Sequence, residues 1–243
     1  MLVLVCKTCQ DETGVICELC TKQGVKTVKL LDTQRISRRL RILCLHGFRQ
    51  NSSSFKGRTA SFAKKLKSMV ELVYIDGPYE LSGAHAKRFA WLVEEGCETT
   101  AFDSLQYKRQ KDGVEESMAR IDDACANLGP FDGVLGFSQG AALVGLLCAR
   151  KEKRFRFGIM CSGFRVRVGV GFGDGDSLIV CPSLHAYGGF DGKDRQIGVD
   201  DSRELAEMFV KENRVVVEHE SGHIIPTRPP YIDEIRCFLG RFL

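Results

Sequence analysis

The chain has 243 residues, 44% hydrophobic and 27% charged, which is ordinary for a globular protein with room for one sizeable core. Its formal charge is +4, and the basic residues are scattered among acidic ones, so nothing calls for nucleic acid or an anionic lipid surface as partner. No apolar run approaches the roughly 18 to 20 residues of a membrane span, and Met1 to Val5 is too short for the core of a secretion signal. A soluble cytoplasmic protein is expected, with the nucleus also open to it.

Residues 1–38 read differently from the rest. They show no sustained period of 2 or 3.6 and end in the basic run Arg35-Ile-Ser-Arg-Arg39, so they are taken as an extension, loosely ordered, on a domain spanning 39–243. Of the eleven cysteines, only four carry a pattern: Cys6-x-x-Cys9 and Cys17-x-x-Cys20. Two such knuckles supply four thiolates, the donor set of tetrahedral zinc, but the seven residues between them are fewer than common zinc modules use, so free thiols and no metal are expected. Cys44, Cys148, Cys161 and Cys181 lie in apolar stretches and read as small core residues.

From Leu40 onward apolar β-like runs alternate with helical patterns, the sign of βαβ units and a parallel sheet. Strands are predicted at Arg41–Leu45, Leu72–Ile75, Asp132–Gly136, Phe157–Cys161, Ser183–Tyr187 and Val215–Glu218. Helices are predicted at Phe55–Lys67, Val114–Ala126, Gln139–Ala149, Asp201–Val210 and Ile232–Leu243. The fold class is therefore α/β, a three-layer α/β/α sandwich around a mostly parallel sheet. Gly77 to Gly113 is too long for a simple connection and holds Phe89, Trp91 and Phe102, which predicts the wall of an apolar substrate pocket.

The chemistry concentrates at Gly136-Phe137-Ser138-Gln139-Gly140, between an apolar strand and an apolar helix. A nucleophile elbow needs this context: the chain turns sharply, the serine takes strained dihedrals, and glycines two positions either side relieve crowding. Ser138 is the candidate nucleophile. The helix that opens at Gln139 directs N–H groups and a positive dipole end toward it, making the Gln139 backbone N–H one oxyanion donor. The second is expected from the loop after the first strand, Leu45-His46-Gly47-Phe48, at the Phe48 N–H, while His46 is expected to shape that loop. The base should follow the nucleophile in the chain. His223, in the loop after the last strand, fits; His185 lies within a strand, and His219 ends one and would have to point away from it. The acid should follow the strand Ser183–Tyr187, where Asp191 is the candidate and Asp194 competes with it.

Together Arg41-Ile-Leu-Cys-Leu-His-Gly-Phe-Arg-Gln50, Ser54-Phe-Lys-Gly-Arg58, Glu71-Leu-Val-Tyr-Ile-Asp-Gly-Pro78, Gly136-Phe-Ser-Gln-Gly-Ala141, Pro182-Ser-Leu-His185 and Gly222-His-Ile-Ile-Pro226 resemble the FSH family of serine hydrolases. That family lies within the α/β-hydrolase superfamily and includes the ovarian-cancer-associated hydrolase-like proteins; the present version is similar to the plant members. The resemblance covers Leu40 to the C-terminus. It implies a cofactor-free carboxylesterase that cleaves small or lipid-like esters, favours longer alkyl or acyl chains and forms an acyl-enzyme, with the family's serine, aspartate and histidine falling on Ser138, Asp191 and His223. The alternative is a non-catalytic binding module on an α/β-hydrolase shell.

Overall fold

Along strand β1 (Leu40–Leu45), successive side chains enter opposite cores: Ile42 and Cys44 join one buried cluster, Leu43 and Leu45 the other. The unbroken apolar run from Ile42 to Leu45 is what a sheet covered on both faces requires. The computed structural model describes residues 38–81, 87–94, 106–109, 111–150, 152, 154–167, 178–189 and 194–243, and Arg39–Leu243 form one compact unit.

With β2 (Val70–Ile75), β5 (Gly133–Phe137), β6 (Phe157–Cys161), β7 (Ser183–Gly188) and β8 (Arg214–His219), β1 builds a six-stranded sheet in the order β2-β1-β5-β6-β7-β8. Every pairing is parallel. Helices α3 (Val114–Leu128), α4 (Gln139–Ala149) and α5 (Val199–Glu207) supply Ile121, Leu143 and Leu205 to the core on one face; α1 (Ser52–Arg58), α2 (Ala60–Lys65) and α6 (Tyr231–Gly240) supply Phe55, Phe62 and Phe238 to the other. This is the expected three-layer α/β/α arrangement. From β1 the chain moves outward to β2 and then returns to place β5 on the other side of β1. The sheet's switch point therefore lies between the carboxyl ends of β1 and β5, where open α/β sheets form their crevice.

All six predicted strands occur, within two residues at each end. The long predicted helix from Phe55 to Lys67 is two helices. Asn51 starts α1 early through a capping box with Ser54, and Thr59 breaks the run because its hydroxyl bonds the Phe55 carbonyl at 2.9 Å and the Tyr74 hydroxyl at 2.6 Å. Within the stretch from Gly77 to Gly113, β3 (Tyr79–Leu81) and β4 (Arg88–Ala90) pair antiparallel, a hairpin too short to show periodicity.

Cys44 and Cys161 are fully buried, and desolvation pushes both thiols up, Cys161 to about 12. They behave as small core residues. Cys6, Cys9, Cys17 and Cys20 lie outside the described residues, among which no three potential metal ligands gather and no helix is long and apolar enough to cross a membrane.

Candidate active site

Strand β5 delivers Ser138 to the switch point with backbone angles φ 54° and ψ −118°, a region that L-residues avoid unless their surroundings enforce it. Both flanking glycines are required by contact. A Cβ on Gly136 would stand 2.2 Å from the Gly140 carbonyl oxygen, and one on Gly140 would stand 2.3 Å from that of Leu45. The turn is pinned by the Ser138 N–H to the Cys161 carbonyl at 2.9 Å, and α4 starts at once, the Ala142 N–H bonding the Ser138 carbonyl at 3.0 Å. Ser138 keeps solvent access while its neighbours Phe137 and Gln139 are buried.

The loop after β1 meets this turn. A Cβ on Gly47 would come within 3.3 Å of the Ser138 Cβ and 3.1 Å of the Phe137 ring, so glycine lets the loop backbone approach the nucleophile. The Gly47 N–H donates to Gln50 Oε1 at 2.9 Å. His46 is sealed from solvent: its Nδ1–H donates to the Gly47 carbonyl at 2.8 Å, and its Nε2 accepts the Gly77 N–H at 3.0 Å. A carbonyl only accepts and an amide N–H only donates, so the two bonds define one neutral tautomer. Burial, outweighing the Gly47 bond and nearby Asp76, lowers the His46 pKa, which keeps that tautomer.

His223 follows β8 in a tight turn closed by the Ile224 N–H to the Gly222 carbonyl at 2.9 Å. Its ring packs on Phe137, the residue before the nucleophile, with centroids 4.6 Å apart. Its Nδ1 bonds Asp194 Oδ2 at 2.8 Å, while Asp194 Oδ1 accepts the N–H groups of Gln196 and Ile197 at 2.9 and 3.0 Å. Burial works to raise the Asp194 pKa, but the His223 contact and these two backbone bonds together hold it below its ordinary value. Gly188, ending β7, allows the approach of the two loops: a Cβ there would stand 2.6 Å from the Ser221 carbonyl and 3.4 Å from the Asp194 Cβ.

A family model described as "Serine hydrolase (FSH1)" matches residues 36–235. The chain belongs to that family. It is thereby an enzyme of the serine hydrolase class. Esterase OVCA2 of Danio rerio is 36% identical over 229 residues, covering 84% of this chain and 97% of its own length. Rhodanese-like domain-containing protein 6 of Arabidopsis thaliana is 46% identical over 279 residues, covering all of this chain, which spans 48% of that relative's length. Among solved structures, esterase PE8 superposes with a TM-score of 0.62 at 18% identity, over 84% of this chain and 93% of its own, a likeness of fold.

In this FSH1-family hydrolase the predicted acid, Asp191, lies outside the described residues; the carboxylate that meets His223 is its competitor Asp194. Trp91, expected to face a ligand, is instead fully buried, its Nε1–H donating to the His46 carbonyl at 2.9 Å and its ring 5.2 Å from the His46 ring. It therefore underpins the loop after β1. Phe89 is half-buried in β4, which bridges to that loop at Gln50, and Phe102 lies outside the described residues. Two features escaped the sequence reading. The Gln139 side chain clamps the Trp91 segment, accepting the Trp91 N–H and donating to the Leu92 carbonyl, each at 2.7 Å. Ser162, beside the elbow at the end of β6, has φ 48° and is fully buried; a lone serine in an apolar run gives no signal of this.

Proposed function

We propose that the chain is a carboxylesterase in which Ser138 is the nucleophile, His223 its general base, and Asp194 rather than Asp191 the acid that fixes the base. The observation that carries this reading is the Asp194–His223 bond, in which every oxygen of the acid has a partner. A carboxylate so held keeps the proton of His223 on Nδ1, leaves Nε2 to take the Ser138 proton, and stabilises the imidazolium formed during attack. The Phe48 and Gln139 N–H groups hold the oxyanion of the tetrahedral intermediate. Collapse expels the alcohol, which takes its proton from the His223 imidazolium, and leaves an acyl group on Ser138; water, deprotonated by the now neutral His223, attacks it, and that proton passes to the Ser138 oxygen as the carboxylic acid departs. No step calls for a cofactor. Residues 39–243 carry all of this machinery, and residues 1–38 are an appendage to it.

An ester with an apolar chain is the substrate class proposed. Half-buried Phe48 and Ile224, which is 40% exposed beside His223, offer apolar surface on the loops that carry the oxyanion donor and the base, and half-buried Phe89 adds to it from β4, bridged to the first of these loops. That the Danio rerio relative is named an esterase supports the bond type. The test is a series of p-nitrophenyl esters from acetate to dodecanoate, with wild type and Ser138→Ala. Expected are a rise of kcat/KM with chain length and a loss of several powers of ten in the variant. Retained hydrolysis by folded Ser138→Ala overturns the catalytic reading; a flat or falling series overturns the substrate class.

A further inference from the structure

His46 has a place in the loop after β1 that neither catalysis nor core packing explains. It precedes the nucleophile, both ring nitrogens are taken by backbone groups, and it is fully buried. What those bonds do follows from peptide geometry. The Gly47 carbonyl and the Phe48 N–H belong to one planar trans peptide and point in opposite directions. Fixing the carbonyl therefore fixes the N–H. His46 Nδ1–H holds the carbonyl at 2.8 Å, the shorter of its two bonds, the Gln50 N–H reaching the same oxygen at 3.2 Å, and Gln50 Oε1 holds the Gly47 N–H on the preceding peptide at 2.9 Å, so the glycine is gripped on both sides. This matters at a glycine more than elsewhere, because an ungripped Gly–X peptide flips at low cost.

We propose that His46 is a positioning residue whose imidazole, through the Gly47 carbonyl, aims the Phe48 N–H at the oxyanion formed on Ser138. This rests on the catalytic reading above. The distance fits: a Cβ on Gly47 would lie 3.3 Å from the Ser138 Cβ, so the next peptide starts within one residue of the reacting centre. The rest of the surroundings keep the ring still. Gly77 N–H fixes its far nitrogen, and Trp91 donates from Nε1 to the His46 carbonyl at 2.9 Å and packs on its ring. The Trp91 segment is in turn clamped by Gln139, so the supports of both proposed oxyanion donors are one connected network. A donor oriented before the charge develops costs no reorganisation during the reaction.

Two substitutions separate this role from a structural one. His46→Asn keeps a donor at the δ position, facing the Gly47 carbonyl, and loses the acceptor for Gly77. His46→Gln keeps an acceptor at the ε position and loses the δ donor. Both are compared with wild type for thermal unfolding, for kcat and KM on p-nitrophenyl butanoate after active-site titration, and for inhibition by an alkyl trifluoromethyl ketone, whose adduct on Ser138 is a stable oxyanion. His46→Gln is expected to lose roughly 10- to 100-fold in kcat with KM within about twofold, since misaiming one donor approaches the cost of deleting it. Its Ki for the ketone should rise by a similar factor. His46→Asn should recover most of both. The inference is overturned if His46→Gln outperforms His46→Asn, if kcat per titrated site and Ki stay within threefold of wild type in both, or if losses track unfolding alone. A wild-type enzyme that neither titrates nor binds the ketone instead removes the catalytic reading, and this inference with it.

Discussion

Asp194 presents its two oxygens to different partners, one to His223 and one to the backbone of residues 196 and 197. Asp194→Asn preserves size but replaces one acceptor by an amide donor, so His223 can settle in the wrong tautomer, and kcat is expected to fall by about 10³ to 10⁴. Asp191→Asn is expected to fall less than tenfold; steady-state kinetics on one ester rank the two, and the reverse order would return the acid's role to Asp191. The same carboxylate links to stability. Its pKa lies below the ordinary 3.8, so the folded protein binds that proton less readily than the unfolded chain. The resulting stabilisation is complete above about pH 4 and drains away as pH falls through the folded value. The stability gap between wild type and Asp194→Asn, read from urea midpoints, should therefore narrow below pH 4.

At the scale of elements, the site depends on three loop ends meeting, and each meeting is permitted by a missing side chain. Gly188→Ala tests the one between β7 and the base loop. Its Cβ would stand 2.6 Å from a backbone carbonyl, which cannot swing aside as a side chain does, so His223 must shift. Displacements of about 1 Å near reacting groups cost on the order of 10²-fold in rate, and a loss of at least tenfold in kcat with far-UV circular dichroism unchanged is expected. Gln139→Ala tests the clamp on the Trp91 segment. It leaves a buried N–H and a buried carbonyl unpaired, each worth about 1 to 3 kcal/mol, so chemical denaturation should show a destabilisation of roughly 2 to 5 kcal/mol. These requirements were unequally legible in the sequence. The elbow announced itself because glycine, serine and glycine stand between an apolar strand and an apolar helix. The partner of His223 did not, because Asp191 and Asp194 share a polar loop, and the bonds that seat Asp194, from the N–H groups of Gln196 and Ile197, leave no pattern in the sequence. Trp91 was misread because its place in a long aromatic loop gives no sign that its indole N–H has a carbonyl partner in the core.

Across the whole molecule, the fold was legible because a parallel sheet covered on both faces writes its central strands, such as β5 and β6, as continuous apolar runs, while the β3–β4 hairpin and the break at Thr59 depend on contacts distant in sequence. The buried histidines give a further global consequence. His46, His185 and His219 each have a pKa lowered by burial from the ordinary 6.5, His185 to about 3. Below 6.5 the unfolded chain takes up protons that the folded protein refuses, so stability is undiminished above about pH 6.5 and decreases as pH falls toward 3. The urea midpoint should drop between pH 7 and pH 5, and the drop should shrink in His185→Leu; a pH-independent midpoint would show these rings to be accessible to protons in the fold.

The proposed catalysis requires an activated serine at the elbow. The most direct measurement is peptide mapping by mass spectrometry after reaction with a fluorophosphonate, which bonds covalently only where a base has made a hydroxyl nucleophilic. Expected is one adduct per chain, on Ser138, formed much more slowly in Asp194→Asn and absent in Ser138→Ala. An adduct on another serine, or none on folded protein, would contradict it.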